Sequence, residues 1–444
     1  MNLPEAARPI VRTYLVLSAM FNASLALIWG VNTLFLMSAG LSIFQVMLVN
    51  ATFSLGQFVF EVPTGVVADT IGRRASLLLC LVTVLVGTLA YLAAAWLHLG
   101  IVPFIAVSVL LGLGFTFYTG AVDAWMVDAV KHLGYDGPLE PIFARVQAVF
   151  GGSMLVGTIG GGLLGQIHLY VPYAVRAALL VPTIVVAWTS MREVGFTPRP
   201  LRAREVPAEM KRILREGARY GLRHPVVRPL MLSSVVAMSF GMFGFYSWQR
   251  YFLDLLGKEL VWVTGLIAAL VAVAGMVGNR LVGVVSRVVP KRTSVMVLAT
   301  CIQSAALVAS GLLGSFVPVV ACYLVAAVAS GMASPVRQSM LNANIPSAQR
   351  ATIISLDSLF GDLGSGVGQT GWGRLAEARS IATSWVAGGA VLLAGIPFIW
   401  RARRCVGAVD RFDAAKAGPQ DAPAPACYTP QGAEPRAAAL GSNR

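Results

Sequence analysis

Four carboxylates stand inside strongly apolar runs of this chain: Glu61, Asp123, Asp357 and Asp362. An ionisable side chain at membrane depth is costly and marks function by default. A carboxyl group there can carry a proton, because desolvation disfavours its charged form. Glu61 lies in "FEVPTG", two turns before Asp69, and its other reading is a structural carboxylate capping a helix break at Pro63. Asp357 and Asp362, in "SLDSLFGDLGSG", are five apart and point in different directions on a helix, so one of them faces an interior. Arg250 and Arg337 are cations in similarly apolar surroundings. Polar and aromatic groups accompany them: Asn22, Trp29 and Asn32 early in the chain, Tyr118, and Tyr246 and Gln249 in "FGFYSWQRYF". Together they describe a cavity for an amphipathic organic molecule, anionic in view of Arg250 and Arg337. The competing reading of the aromatics is an interfacial belt.

The elements that must hold these residues are membrane helices. Of the 444 residues, 57 % are hydrophobic and 12 % charged, and the mean hydropathy is +0.73. Soluble domains carry about twice that share of charge. Apolar runs bounded by Gly, Pro or charge predict twelve helices near 13–37, 42–68, 75–97, 101–130, 142–166, 171–190, 226–253, 260–286, 293–314, 317–343, 351–375 and 381–401. No short basic leader with a cleavage site precedes the first, which is expected to be a retained anchor. The fold class is therefore all-α and integral to the membrane, with twelve transmembrane helices in two pseudo-symmetric six-helix bundles.

The net charge of +14 follows loop position and not a soluble basic face. With the N-terminus inside, Arg73/Arg74, Lys131, the central loop, Lys291/Arg292, Arg350 and Arg401/Arg403/Arg404 fall on the cytoplasmic side. The opposite loops hold little beyond His98, His168, Lys258 and Arg379. Both termini are expected in the cytoplasm, and no nucleic-acid partner is implied. The domains read as an N-terminal bundle (1–190), a basic linker (191–225), a C-terminal bundle (226–402) and a disordered tail (403–444). In the linker, "AEMKRILREGARYGL" has the spacing of a basic amphipathic helix, either lying on an anionic leaflet or simply solvated.

The halves repeat. "GVVADTIGRRAS" (65–76) aligns without gaps to "GVVSRVVPKRTS" (283–294), and "TGAVDAWMVD" (119–128) aligns to "ASPVRQSMLN" (333–342). The second alignment places Asp123 opposite Arg337. Substrate sites in duplicated bundles lie at the repeat interface near the midplane.

The first repeat carries a family resemblance. "GVVADTIGRR" between the second and third helices resembles the major facilitator superfamily signature G-x-L-A-D-R-x-G-R-K-x-x-L, matching at Gly65, Ala68, Asp69, Gly72, Arg73 and basic Arg74. It departs at Val67 and Thr70. The resemblance implies a conformational gate on Gly65, Asp69, Gly72, Arg73, Arg74 and Asp128, with Asp69 at a helix N-terminus and an Arg reaching Asp128. In the second half Arg287 replaces Asp69, so the acidic latch is expected in the first half alone. The family's central cavity is lined by the first, fourth, seventh and tenth helices, which sets Asp123 and Arg337 on facing bundles. They either pair across the bundles when the cytoplasmic side closes, or pair locally within each half. The family's exporter patterns are met in part: "VSVLLGLGFTFYTG" lacks their Arg, and "GGSMLVGTIGGG" has Gly152, Gly157, Gly160 and Gly161 but no Pro.

The resemblance implies a secondary transporter working by alternating access, with proton-coupled efflux favoured. Proton-coupled uptake and a non-transporting sensor are the alternatives. Its partners would be a small-molecule substrate, protons and the lipid bilayer, and it would act as a monomer without cofactor or metal. None of the five Lys residues is followed by Ser or Thr, which excludes a phosphate-binding loop. The four His residues sit in loops or at helix ends without nucleophile or metal partners, and no C-x-x-C pair occurs. An enzyme is not expected. Abundant Ala, Gly and Val, with Arg over Lys, points to a bacterial plasma membrane.

Overall fold

A computed structural model describes residues 4–118, 121–196, 221–345 and 350–412, with isolated positions between 208 and 215. The side chains of Val62, Val66, Asp69 and residues 350–352 lie outside that description. So do most of the expected amphipathic linker helix and residues 413–444 of the tail expected to be disordered from 403; its first residues, 403–412, are structured and include a 3-10 turn at Gly407–Asp410.

The first half contains α1 (Arg8–Trp29), α2 (Asn32–Ser38), α3 (Ile43–Ile71), α4 (Arg73–Trp96), α5 (Ile101–Thr116), α6 (Ala121–His132), α7 (Glu140–Ile167) and α8 (Val171–Ser190). The second contains α9 (Val227–Leu256), α10 (Val261–Val288), α11 (Arg292–Leu312), α12 (Phe316–Ala343), α13 (Arg350–Ala378), α14 (Ile381–Val391) and α15 (Ile396–Arg403). Three expected helices are each broken once: α1/α2 at Gly30–Val31, α5/α6 after Phe117, and α14/α15 through a short 3-10 turn. Counting each broken pair as one traverse gives six per half. Residues 4–7 and 405–412 therefore lie at one end of the molecule, here the termini end.

Eleven of the traverses are long and apolar enough to cross a membrane. The twelfth, α13, carries Asp357, Asp362, Gln369, Arg374 and Glu377, and its place between other helices explains how it tolerates them. Local chemistry starts the helices where expected. Ser42 and Gln45 form a reciprocal capping box at α3, and Pro occupies the first turn of α7 and α8, where its missing N–H costs nothing. Pro63 does not break α3, which runs on to Ile71. The Thr64 hydroxyl donates to the Phe60 and Glu61 carbonyls at 2.8 and 3.1 Å, the common back-bonding of a helical threonine. Glu61 is thus not the cap of a helix end.

The two halves pack alike. In each, the first traverse packs along the fifth (α1 with α7, α9 with α13) and the second along the fourth (α3 with α5, α10 with α12). Between the halves, α7 lies on α10 and α3 on α13, as a pseudo-two-fold axis requires. The two helices approach closely where Gly162 of α7 meets Gly265 of α10, with no side chain on either glycine to hold the backbones apart.

The buried core is distributed unevenly. At the end opposite the termini, one apolar cluster runs through both halves, joining Phe35, Tyr91 and Tyr173 to Phe243, Trp248, Tyr323 and Trp385. At the termini end the core is split, one cluster in each half: Tyr14, Phe21 and Trp125 in the first, Met231, Met296 and Met340 in the second. The molecule is closed at one end and divided at the other. Its perimeter exposes Val102, Val156, Ile167, Val288 and Val317 at more than 70 % each, the apolar surface a lipid tail would cover.

Candidate functional site: a central cavity and its buried charges

At the boundary between the halves lies a cavity of about 330 Å³. Its walls come from α1–α5, α8 and α9, and include Trp29, Asn32, Asn50, Phe53, Gln57, Phe115, Phe245, Tyr246 and Arg176. Trp29 meets Phe245 edge-on with ring centroids 5.6 Å apart, closing the wall across the two halves. Most polar groups on that wall are already committed to one another. Tyr173 donates to Asn32 Oδ1 at 2.7 Å, Asn32 donates to Asn50 Oδ1 at 3.1 Å, and Asn50 donates to the Val46 carbonyl at 3.0 Å. Tyr91 donates to Ser108 Oγ at 3.0 Å, and Ser108 to the Val49 carbonyl at 2.7 Å.

The sequence-based cavity residues divide. Trp29, Asn32 and Tyr246 line the cavity. Asn22 and Tyr118 lie together in the first half, where Tyr118 stacks on Phe21 at 4.3 Å. Gln249 is fully buried and bolts the halves together: it accepts from the Thr33 N–H and donates to the Trp29 carbonyl, both at 2.8 Å. Thr33 also donates its hydroxyl to the Tyr246 carbonyl at 2.7 Å. Arg250 is neutralised by Asp254 at 2.7 Å, with Glu259 at 3.9 Å. Arg337 lines a separate cavity of about 200 Å³ inside the second half.

The carboxylates also separate by environment. Asp123 accepts from the Tyr14 hydroxyl at 2.5 Å, within the first half. Arg337 grips Asp357 with two parallel bonds of 2.5 and 3.0 Å and also donates to the Leu230 carbonyl at 3.2 Å, within the second half. Asp123 and Arg337 are therefore locally paired in this conformation, and not joined across the bundles. Glu61 on α3 and Asp362 on α13 are the two that meet across the halves, close enough to interact electrostatically.

Around the α3–α4 turn the structure brings in a carboxylate that spacing alone did not indicate. Gly72, at φ +105°, makes the turn. The Glu193 carboxylate sits against it and accepts from the Arg74 N–H at the N-terminus of α4. Arg74 donates to the Trp188 carbonyl and lies 4.9 Å over its ring, and Arg73 lies 5.9 Å from the Phe196 ring. Asp128 makes no ion pair among the described residues; its carbonyl lies against Gly195. Gly65 faces open space, and the Asp69 side chain lies outside the described residues. The second-half turn is not without an acid either. Asp410 accepts from the Thr293 N–H and hydroxyl, both at 2.8 Å, while Arg292 donates to the Val409 and Arg411 carbonyls and lies 5.1 Å from the Phe412 ring. In both halves the segment after the sixth traverse caps the third, where a negative charge is favoured by the helix dipole.

Arg176, Glu193 and Asp410 are absent from the sequence-based candidates. For Arg176 the signal is present, since it is the only charge within the apolar run 171–190. The two acids carry no such mark, because they lie in polar segments whose docking is visible only in three dimensions.

With this geometry in place, comparison with known proteins is decisive for the family. The Major Facilitator Superfamily model matches residues 14–369. This chain belongs to that superfamily. The nucleoside transporter NupG superposes with a TM-score of 0.71 at 10 % identity, covering 91 % of this chain and 100 % of that one. A bacterial homologue of the human lysosomal transporter Spinster gives 0.69 at 16 % identity, over 93 % and 99 % of the two chains. A D-xylose–proton symporter gives 0.65 at 13 % identity, over 89 % and 98 %. No curated protein matches in sequence. The chain is a multi-pass membrane transporter of the superfamily, and identities this low speak for shared fold alone.

Proposed function

We propose that this superfamily member is a proton-coupled secondary transporter that exports a small organic molecule across a bacterial plasma membrane. The termini end faces the cytoplasm, where the basic loops gather, and the closed end faces outward. The observation that carries the reading is the cavity at the boundary of two halves that are joined at one end and divided at the other. Rocking the halves about that boundary exposes the same site to either side in turn. Glu61 and Asp362 are the proton carriers in this scheme. The Glu61 and Asp362 carboxylates interact electrostatically across the moving boundary, so protonating one of them removes repulsion between α3 and α13 and releasing the proton restores it. Asp123 and Asp357 keep structural partners and hold their halves together. The turns at Gly72 and 290–292, capped by Glu193 and Asp410, are the gate elements, joined by Gly65, Asp69, Arg73, Arg74 and Asp128 at the face that must close. The molecule works as a monomer.

A compound-sensitivity screen of a strain lacking the gene, complemented with the native chain or with Glu61→Gln, tests export. Gain of sensitivity to particular compounds, restored by the native chain and not by Glu61→Gln, is expected. Unchanged sensitivity throughout, with uptake into proteoliposomes driven by an inward proton gradient, assigns symport instead. Ligand binding without flux in either direction assigns a sensor.

A further inference from the structure

Arg176 is buried to 4 % exposure on α8, yet it makes no side-chain hydrogen bond or ion pair among the described residues. Its Nε has no hydrogen-bond acceptor, and no carboxylate faces it among the described residues. The ionisable groups near it are Tyr173, Tyr91 and Cys80. Those two tyrosine hydroxyls donate to Asn32 and Ser108, and no hydrogen bond joins either of them to Arg176 among the described residues. An uncompensated charge in this setting is strongly unfavourable. The two arginines expected in the cavity from the sequence are answered within the protein, Arg250 by Asp254 and Arg337 by Asp357. Arg176 alone of the three lines the central cavity, and Gln57 stands on the same wall.

We propose that the cavity binds a small organic anion, with its carboxylate held by the Arg176 guanidinium and its apolar body between Trp29, Phe115 and Tyr246. A planar guanidinium offers paired N–H donors that match a carboxylate in geometry as well as charge. The aromatic lining and a volume of about 330 Å³ suit an organic ion and leave a bare inorganic one poorly packed. The net charge of the loaded site is then zero, which lets the halves close over it without burying an unpaired cation. The inference names the substrate class for the transport reading above, on which its physiological meaning rests; its binding test requires no transport.

The test uses the purified full chain in detergent and chloride-free buffer. Thermal stability is titrated with benzoate, phenylacetate and 3-phenylpropionate, each beside its neutral amide. At least one carboxylate is expected to raise the melting temperature where its amide does not. Arg176→Gln should weaken that binding by about 10–100-fold, and Arg176→Lys, which keeps charge but loses the fork, should fall between. Because Arg176→Gln removes an unpaired buried charge, the unliganded variant should melt no lower than the native chain. The proposal is overturned if the amides stabilise as well as the acids, if the shift survives Arg176→Gln, or if none of the acids acts. It is equally overturned if Arg176→Gln alone destabilises the empty protein, since the fold would then supply the missing partner. An Arg176-dependent shift from chloride that the carboxylates cannot displace would assign an inorganic anion. Carboxylate binding without flux in proteoliposomes leaves this site standing and removes the transport reading; flux of a cation or neutral solute without carboxylate binding does the reverse.

Discussion

Adding one methyl group at Gly265 should move this transporter from one conformation to the other. A Cβ built there falls 2.4 Å from the Thr158 carbonyl oxygen, 2.9 Å from Gly162 Cα and 3.0 Å from Gly162 N. Ordinary contact begins near 3.4 Å, so the carbonyl must retreat by about 1 Å. The obstacle is backbone on α7, which no side-chain rotation relieves, so α7 and α10 must separate at the closed end. Overpacking of this kind costs about 1–3 kcal/mol. The penalty falls on the conformation in which these helices touch and vanishes when they part, so the equilibrium should shift by about 5–150-fold. Val31, fully buried in a small cluster with Leu253 and Val261 of the other half, is the reporter. With Val31→Cys in a cysteine-free background, maleimide labelling should accelerate by that factor in Gly265→Ala. Gly162→Ala should act in the same direction. Gly283→Ala, on the same helix α10 with open space around its Cβ position, should leave labelling unchanged while gaining about 0.5–1 kcal/mol of helix propensity. Labelling within twofold of the parent in a folded Gly265→Ala protein would refute the reasoning, because the collision would then have been absorbed without parting the halves.

Three further outcomes are expected. Replacing Arg337 by Leu leaves Asp357 buried and unpaired and should cost about 3–5 kcal/mol, whereas Arg337→Met combined with Asp357→Leu should recover most of it; melting temperatures of the two variants beside the native chain decide this. Asp410→Asn and Glu193→Gln each remove a charged helix cap and should cost about 1–2 kcal/mol, with a smaller effect on the unaltered half seen by limited proteolysis. His224, just ahead of α9, is held neutral: burial pushes its pKa down to about 4, and its Nδ1 accepts from the Val226 and Val227 N–H groups. The unfolded chain binds a proton below about 6.5 and the folded chain does not, so this contribution is complete above 6.5 and is lost as pH falls toward 4, by about 3 kcal/mol. The difference in melting temperature between the native chain and His224→Asn should therefore depend on pH in that window and be flat above it.

Much of the fold is legible because the membrane imposes one rule, that backbone polar groups be satisfied within each segment. Apolar runs punctuated by Gly, Pro and charge therefore mark the helices to within a few residues, and even the weakly apolar α13 is found from its neighbours. The breaks inside traverses are not so marked. Gly30, where α1 ends, packs against Thr264 and Gly265 of α10, a contact between residues far apart in sequence. The same distinction governs the site. Single charges such as Glu61 and Arg337 announce themselves in an apolar run, but their partners do not: Asp357, five residues from Asp362, takes Arg337, and Asp362 is the one that interacts electrostatically with Glu61. Repeat symmetry pairs Asp123 with Arg337 on paper, while Tyr14 and Asp357 claim them first at shorter reach.

The distribution of satisfied and unsatisfied groups bears on how such a molecule can move at modest energetic cost. Asp123, Arg337, Arg74 and Arg292 each find their partners within their own half, so separating or joining the halves need break none of these contacts. What does change at the closed end is the Gln249 bolt to Thr33 and Trp29, the Glu377 carboxylate that accepts from the Ser42 hydroxyl and the Phe44 N–H across the halves at 2.9 and 3.2 Å, and the aromatic cluster that both halves share. Those terms are a few hydrogen bonds worth about 1 kcal/mol each and an apolar area that can be re-covered elsewhere. Two conformations can then lie within a few kcal/mol of one another, as alternating access requires. Against that background, Arg176 in the cavity wall and the Glu61–Asp362 pair at the α3–α13 boundary stand apart, because their electrostatic surroundings depend on how the halves are arranged. In the proposed cycle an anion answers the first and a proton the second. Substrate and proton therefore act on the same equilibrium from different places, and removing either group should uncouple one ligand while leaving the other able to bind.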